Sequence, residues 1–123
     1  MQEQPAGPTT HGLIYRLADR AAWEEAQRAG VYRGAEVDAK DGYLHFSSAA
    51  QLADTARLHY RGRQNLVLLA VDTERLGDEL RWEASRGGDL FPHLYAELKA
   101  GDVAWAKSVT LDADGVPLIA DLL

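Results

Sequence analysis

The spacing of hydrophobic and polar positions changes several times along the chain, and each change predicts an element. Residues 12–18 alternate, with Leu13, Tyr15 and Leu17 on one face and Ile14 and Arg16 on the other, which predicts a first strand. Asp19 is placed to cap a helix to about Ala29, with Trp23, Ala26 and Gln27 at helical spacing, and Gly30 ends it. Trp23 is expected to anchor the core. Residues 31–42 show no clear period and are expected to form a long ordered loop, or an irregular strand and turn. Residues 43–46 predict a second strand on which His45 shares a face with Tyr43, opposite Leu44 and Phe46.

Ser48 and Gln51 have capping-box spacing and predict a second helix to about Tyr60, with Ser47 turned toward the same side as His45. Leu52, Thr55, Ala56 and His59 can share one face of that helix. Residues 65–72 are the most continuous apolar run and predict a central buried strand. Residues 79–84 alternate again, with Leu80, Trp82 and Ala84 on one side and Arg81 and Glu83 on the other. Residues 92–98 are expected as a short 3₁₀ or strand piece. Residues 103–111, a turn at 112–115 and residues 116–122 predict a C-terminal hairpin.

The order of elements predicts an α+β fold, two N-terminal helices packed on a mainly antiparallel sheet, forming a single domain over residues 12–123. Residues 1–11 offer Gln, Pro, Gly and Thr with little to bury, and are expected to be a disordered lead-in.

Composition narrows the chemistry. The net charge of -6 argues against sequence-independent binding to nucleic acid. The absence of cysteine excludes disulfides, thiol nucleophiles and cysteine zinc sites. No secretory signal pattern and no run of about 20 apolar residues is present, so the expectation is a cytoplasmic protein with no membrane partner. Asp112 and Asp114 beside Gly115 superficially suggest a calcium loop, but no twelve-residue pattern with a closing glutamate follows.

Residues 82–95 concentrate unusual chemistry: Glu83, Ser85, Arg86, the glycine pair Gly87 and Gly88, then Pro92 and His93, closed by aromatics. The histidines are not spaced as metal ligands, so no metal is expected. There is no nucleophile-elbow serine and no phosphate-binding P-loop. What remains is Arg16, His45, Ser47, Arg86 and His93, with Glu83 nearby. Guanidinium forks and imidazoles suit phosphate oxygens, and Tyr15, Tyr43, Phe91 and Tyr95 can stack on a planar ring, which points to a nucleotide-like small-molecule ligand. The same residues also fit scattered polar groups at sheet edges, and a small hydrolase built on His93 and Glu83 is a third reading.

Four stretches carry a family resemblance. Leu13 to Arg16 read Leu-Ile-Tyr-Arg; residues 42–47 read Gly-Tyr-Leu-His-Phe-Ser; residues 66–72 read Leu-Val-Leu-Leu-Ala-Val-Asp; and residues 82–95 contain Ser-Arg-Gly-Gly and Phe-Pro-His-Leu-Tyr. Together, over about residues 12–106, they closely resemble the bacterial and plant family called domain of unknown function 952. More distantly, the first half is similar to the ADP-ribosyltransferase superfamily in its RNA 2′-phosphotransferase branch. Leu44, His45, Phe46 and Ser47 match that branch's Val-His-Leu-Ser pattern before a helix. Tyr15 and Arg16 stand where it has Tyr-His-Gly-Thr, and the His-Gly-Thr is missing here.

The resemblance implies an ADP-ribosyltransferase-like fold that binds NAD or a related nucleotide, with transfer of ADP-ribose or phosphate. It implies catalytic roles for Glu83 and His45, with Glu83 stabilising developing positive charge. Arg16 or Arg86 would hold phosphates, His45 and Ser47 the ribose or nicotinamide end, with Tyr15, His93 and Tyr95 completing the binding set. The alternative is a non-catalytic ligand-binding or protein-interaction module on the same fold.

Overall fold

The computed structural model describes residues 12–123, so the expectation for residues 1–11 lies outside the described residues. In chain order the elements are β1 (Leu13–Asp19), α1 (Arg20–Ala29), β2 (Val31–Tyr32), α2 (Glu36–Asp41), β3 (Leu44–His45) and α3 (Ala49–His59). Then follow β4 (Leu66–Asp72), β5 (Leu80–Ala84), β6 (Leu90–Leu94), β7 (Leu98–Lys99) and β8 (Val103–Val109). Short 3₁₀ turns join β4 to β5 and β7 to β8.

The apolar run of β4 lies between β1 and β8, antiparallel to both. Its alternation feeds two cores. Leu66, Leu68 and Ala70 pack with Tyr15, Leu17, Leu52 and Ala56, while Val67, Leu69 and Val71 pack with Ile14, Trp23, Leu44 and Leu94. Burying a strand on both faces is why its sequence reads as a continuous hydrophobic run. Trp23 and Ala26 are the buried residues of α1, and Gly30, at φ 90°, ends the helix with its N–H on the Ala26 carbonyl. Asp19 precedes α1 without a side-chain capping bond; its carboxylate pairs instead with Arg63 at 2.8 Å.

Three expectations are corrected. The fold is α+β, but the described residues form three α-helices and three small antiparallel sheets, β1-β4-β8, β2-β7 and β3-β6-β5, where two helices on one main sheet were expected. Among the described residues one bridge joins the first sheet to the third: Tyr15 N–H donates to Ser47 O at 2.8 Å and Ser47 N–H to Tyr15 O at 2.9 Å. Residues 31–42, expected as a long loop or an irregular strand and turn, hold the short strand β2 and then a helix, α2, that was not expected. Asp38 is the buried residue of this six-residue helix, so no apolar stripe announces it. At the C-terminus the expected hairpin is short: Leu111 and Pro117 form an isolated bridge, flanked by bonds from Asp112 N–H to Val116 O and from Leu118 N–H to Thr110 O at 2.8 Å each. Asp112 Oδ1 accepts from the amides of Asp114 and Val116, which tightens the turn.

Residues 82–95 form a hairpin. β5 and β6 pair from Leu80 opposite Leu94 to Ala84 opposite Leu90, so the expected piece at 92–98 is the end of a strand that begins at Leu90. The connecting turn places Gly87 at φ 68° and Gly88 at φ 84°, left-handed conformations that glycine takes without cost. Ser85 N–H bonds Asp89 O across it. Pro92 sits in the middle strand of its sheet, where its carbonyl accepts from Phe46 N–H just past the end of β3. Amide and carbonyl of a strand residue face the same neighbour, so the missing N–H falls where ladder pairing stops.

Candidate functional site

Strand alternation gathers the site on one face of the third sheet. His45 lies opposite His93, His93 opposite Arg81, and Glu83 opposite Phe91, so these side chains share a face that Tyr43 joins from just before β3. The Tyr43 ring stacks on His93 with centroids 4.1 Å apart and touches His45 at 4.6 Å and Tyr95 at 5.2 Å. Arg81 lies over the Tyr95 ring at 4.7 Å.

His93 is 3% exposed, and its Nδ1 lies 2.8 Å from Glu83 Oε1, which also accepts from the Tyr95 hydroxyl at 2.8 Å. A carboxylate only accepts, so Nδ1 carries the proton, and in the neutral tautomer this leaves the lone pair on Nε2. Among the described residues Nε2 has no partner. The bonds from His93 and Tyr95 hold the Glu83 carboxyl below its usual range.

A second network lies behind the first. Asp38 is buried and receives five bonds: Arg16 Nη1 and Nη2 at 2.6 Å each, Ala35 N–H at 2.6 Å, and His45 through its amide at 2.9 Å and its Nδ1 at 2.8 Å. Burial pushes this carboxyl up, but the bonds from His45 and Arg16 and the guanidinium charge outweigh it, and Asp38 sits well below the usual carboxylate range. His45 Nε2 meets a second carboxylate, Asp41, at 2.9 Å. With a carboxylate at each nitrogen the ring donates twice, as an imidazolium. Its pKa is raised, first by the bond to Asp38, against the opposing effect of burial, with Asp41 adding to it. Gly34 lets the chain close on this hub: at φ 89°, an added Cβ would lie 2.5 Å from the Leu44 side chain and 2.6 Å from Asp38 Oδ2.

Between the first and third sheets lies a cavity of about 120 Å³, lined by Tyr15, Arg16, Leu17, His45, Phe46, Ser47 and His93, with Leu52, Thr55, His59 and Tyr60 from the α3 side and Ser85 and Phe91 from the hairpin. The edge of β1 supplies an unusual group. Tyr15 spends its amide and carbonyl on Ser47, so Leu17, two residues on, also directs its own pair away from β4. The Leu17 carbonyl accepts from Arg16 Nε at 3.1 Å and Tyr60 Oη at 3.4 Å. Its N–H has no partner among the described residues, although Leu17 is 2% exposed. Buried orphan amides are rare in folded proteins. The Tyr15 hydroxyl, pushed up in pKa by burial, also lacks a partner among the described residues.

Of the eight residues singled out from the sequence, Tyr15, Arg16, His45, Ser47 and His93 line this one cavity. Glu83 and Tyr95 stand behind His93 and do not line it; Tyr95 faces a shallow trough with Tyr43, Arg33 and Glu97. The Arg86 side chain lies outside the described residues. The guanidinium of Arg16 is spent on Asp38, and Ser47 Oγ lies 3.0 Å from Thr55 Oγ1. Asp38 and the Leu17 amide were not singled out from the sequence. The spacing of a lone aspartate in an aperiodic stretch gives no sign of burial, and a backbone amide leaves no mark in residue type. Among the described residues no group of three or more His, Asp or Glu could hold a metal ion, and no helix is long and apolar enough to cross a membrane.

A family model described as "Protein of unknown function (DUF952)" matches residues 17–106. The crystal structure of protein CC0527 from Caulobacter crescentus is similar at 48% identity and a TM-score of 0.88, covering 89% of this chain and 96% of that one. The solution NMR structure of CC0527 is also similar, at 48% identity and a TM-score of 0.82, covering 94% and 97%. No curated protein matches the chain.

Proposed function

Since the chain belongs to the DUF952 family, whose description assigns no activity, we propose from the site itself that the cavity binds the ring end of NAD or a related nucleotide. The observation that carries this reading is that Leu17, whose N–H is an orphan donor, and His93, whose Nε2 has no partner among the described residues, both line the same cavity. A ring carboxamide presents one carbonyl and one NH₂, the complement of that pair. At about 120 Å³ the space is smaller than the roughly 150 Å³ that takes up benzene, so it covers part of a single ring and the ribose lies outside it. Phe46 and Phe91 supply apolar wall.

In this reading Glu83 fixes the tautomer and orientation of His93, whose Nε2 accepts a proton or hydrogen bond from the ligand. The Glu83 charge, one imidazole away from the ligand, stabilises positive charge that develops on a ribose as its bond to the ring breaks. His45 and Arg16 act through Asp38 as positioning residues, because the His45 ring nitrogens are committed to Asp38 and Asp41 and the Arg16 guanidinium to Asp38 and to the Leu17 and His45 carbonyls. Phosphate recognition therefore does not come from Arg16.

A second reading, a binding module without turnover, is favoured by one observation: Glu83 does not line the cavity. Calorimetry with NAD, nicotinamide and ADP-ribose, followed by assay of nicotinamide release, separates the two. Binding with release supports transfer chemistry; binding of nicotinamide without release from NAD supports the module; no binding of any of the three removes both.

A further inference from the structure

A second cavity, of about 290 Å³, lies on the other side of the wall formed by Arg16, Leu17 and Tyr60. Its remaining lining comes from α1 and its approach (Ala18, Asp19, Ala22), from Tyr32 and the turn after it, and from Arg63. Tyr32 is 3% exposed, its ring packs under the Arg16 guanidinium at 5.5 Å, and its hydroxyl has no hydrogen-bond partner among the described residues. A buried hydroxyl left unpaired is costly, and a ligand acceptor would satisfy it.

The charges around this cavity are already neutralised in pairs. Arg16 is held by Asp38, and Arg63 Nη2 lies 2.8 Å from Asp19 Oδ1 while its guanidinium covers the Tyr60 ring at 4.9 Å. Glu36 adds a negative charge. The lining thus offers two aromatic rings, one unsatisfied hydroxyl donor and no unpaired cation among the described side chains, a poor match for phosphate and a good one for an uncharged planar heterocycle. The volume sits at the low end of ordinary ligand pockets, the scale of a nucleoside.

We infer that this second cavity is a separate binding site for a neutral nucleobase or nucleoside, recognised by the Tyr32 hydroxyl and the Tyr32 and Tyr60 rings. The inference goes beyond the function proposed above and does not depend on it, because it uses neither His93 nor Glu83.

The test is titration of the full chain with adenosine and uridine, followed by amide shifts in two-dimensional NMR. At least one nucleoside is expected to shift Tyr32, Gly34 and Ala35 in a saturable way, with adenosine monophosphate binding no tighter than adenosine. Tyr32→Phe, which removes only the hydroxyl, is expected to weaken binding about five- to tenfold. Ala22→Leu, which fills the cavity from α1 and leaves Tyr32 intact, is expected to abolish it. The inference is overturned by no saturable shift at millimolar nucleoside, by shifts confined to Ser85, Phe91 and His93 in the first cavity, or by unchanged affinity in Tyr32→Phe.

Discussion

Glu83 and His93 meet on a diagonal of the β5–β6 hairpin: Glu83 pairs with Phe91, His93 lies two residues further along the same face, and Oε1 and Nδ1 come within 2.8 Å. A diagonal pair of this kind needs only the register of the hairpin to form. The imidazole is buried against Tyr43, so its orientation is set by packing on one side and by the carboxylate on the other.

Glu83→Gln keeps an acceptor for Nδ1–H and removes the charge. Nicotinamide affinity is expected to stay within about threefold, while release of nicotinamide from NAD falls by about 100-fold or more. Isothermal calorimetry and a single-turnover assay read the two quantities separately. A tenfold loss of affinity in this variant would show that Glu83 serves binding rather than turnover.

Asp38→Ala leaves the buried guanidinium of Arg16 without its partner and removes the bonds that hold Ala35 and His45. Breaking one side of a buried ion pair costs about 3–5 kcal/mol. Asp41→Ala removes an exposed partner of the same imidazole and is expected to cost under about 1 kcal/mol. Urea unfolding of the two variants reads the difference; similar midpoints would mean that the Asp38 hub does not support the fold.

The same hub sets a pH profile with two sides. Asp38 has a lowered folded pKa, so its contribution is present above its unfolded value near 4 and is lost as pH falls through the folded value. His45 has a raised folded pKa, so its contribution is present below about 6.5 and is lost as pH rises through the folded value. Because the His45 side chain is 32% exposed, the alkaline loss is expected to be under about 1 kcal/mol. Unfolding midpoints from pH 5 to 9 should decline gently in the wild type and stay flatter in His45→Gln. A decline of equal size in both proteins assigns the effect to another group.

Gly34→Ala forces a side chain into a left-handed turn and against Leu44 and Asp38. The conformation alone costs about 1–2 kcal/mol, and the contacts add to it. Gly87→Ala meets nothing within 4 Å at a similar φ, so it reports the conformational part alone. Thermal unfolding should place Gly34→Ala clearly below Gly87→Ala, and equal values would contradict the close packing of the turn on Asp38.

What could be read from residue order and what could not divide along physical lines. β4 and β1 were legible because their side-chain patterns state how they are buried, and the Ser48–Gln51 capping box appears as its spacing predicts, with Gln51 N–H on Ser48 Oγ and Ser48 N–H on Gln51 Oε1. α2 was illegible because its buried residue is a charged one, stabilised by Arg16 from another strand 22 positions away. The convergence of His45, Ser47 and His93 on one cavity follows from alternation once β3 is laid beside β6, and that pairing is tertiary. The commitment of Arg16 and His45 to carboxylates, which changes their chemical role, depends on where Asp38 comes to rest.

In the proposed function the Leu17 amide and His93 Nε2 bind the carboxamide of a ring seated in the first cavity. Titration of ¹⁵N-labelled protein with nicotinamide, following the Leu17 amide and the His93 ring nitrogens, tests it directly. A saturable downfield shift of the Leu17 amide proton and a matching change at His93 Nε2 are expected, with the Leu17 shift lost in His93→Ala. Saturating nicotinamide with neither resonance moved would contradict the proposed function.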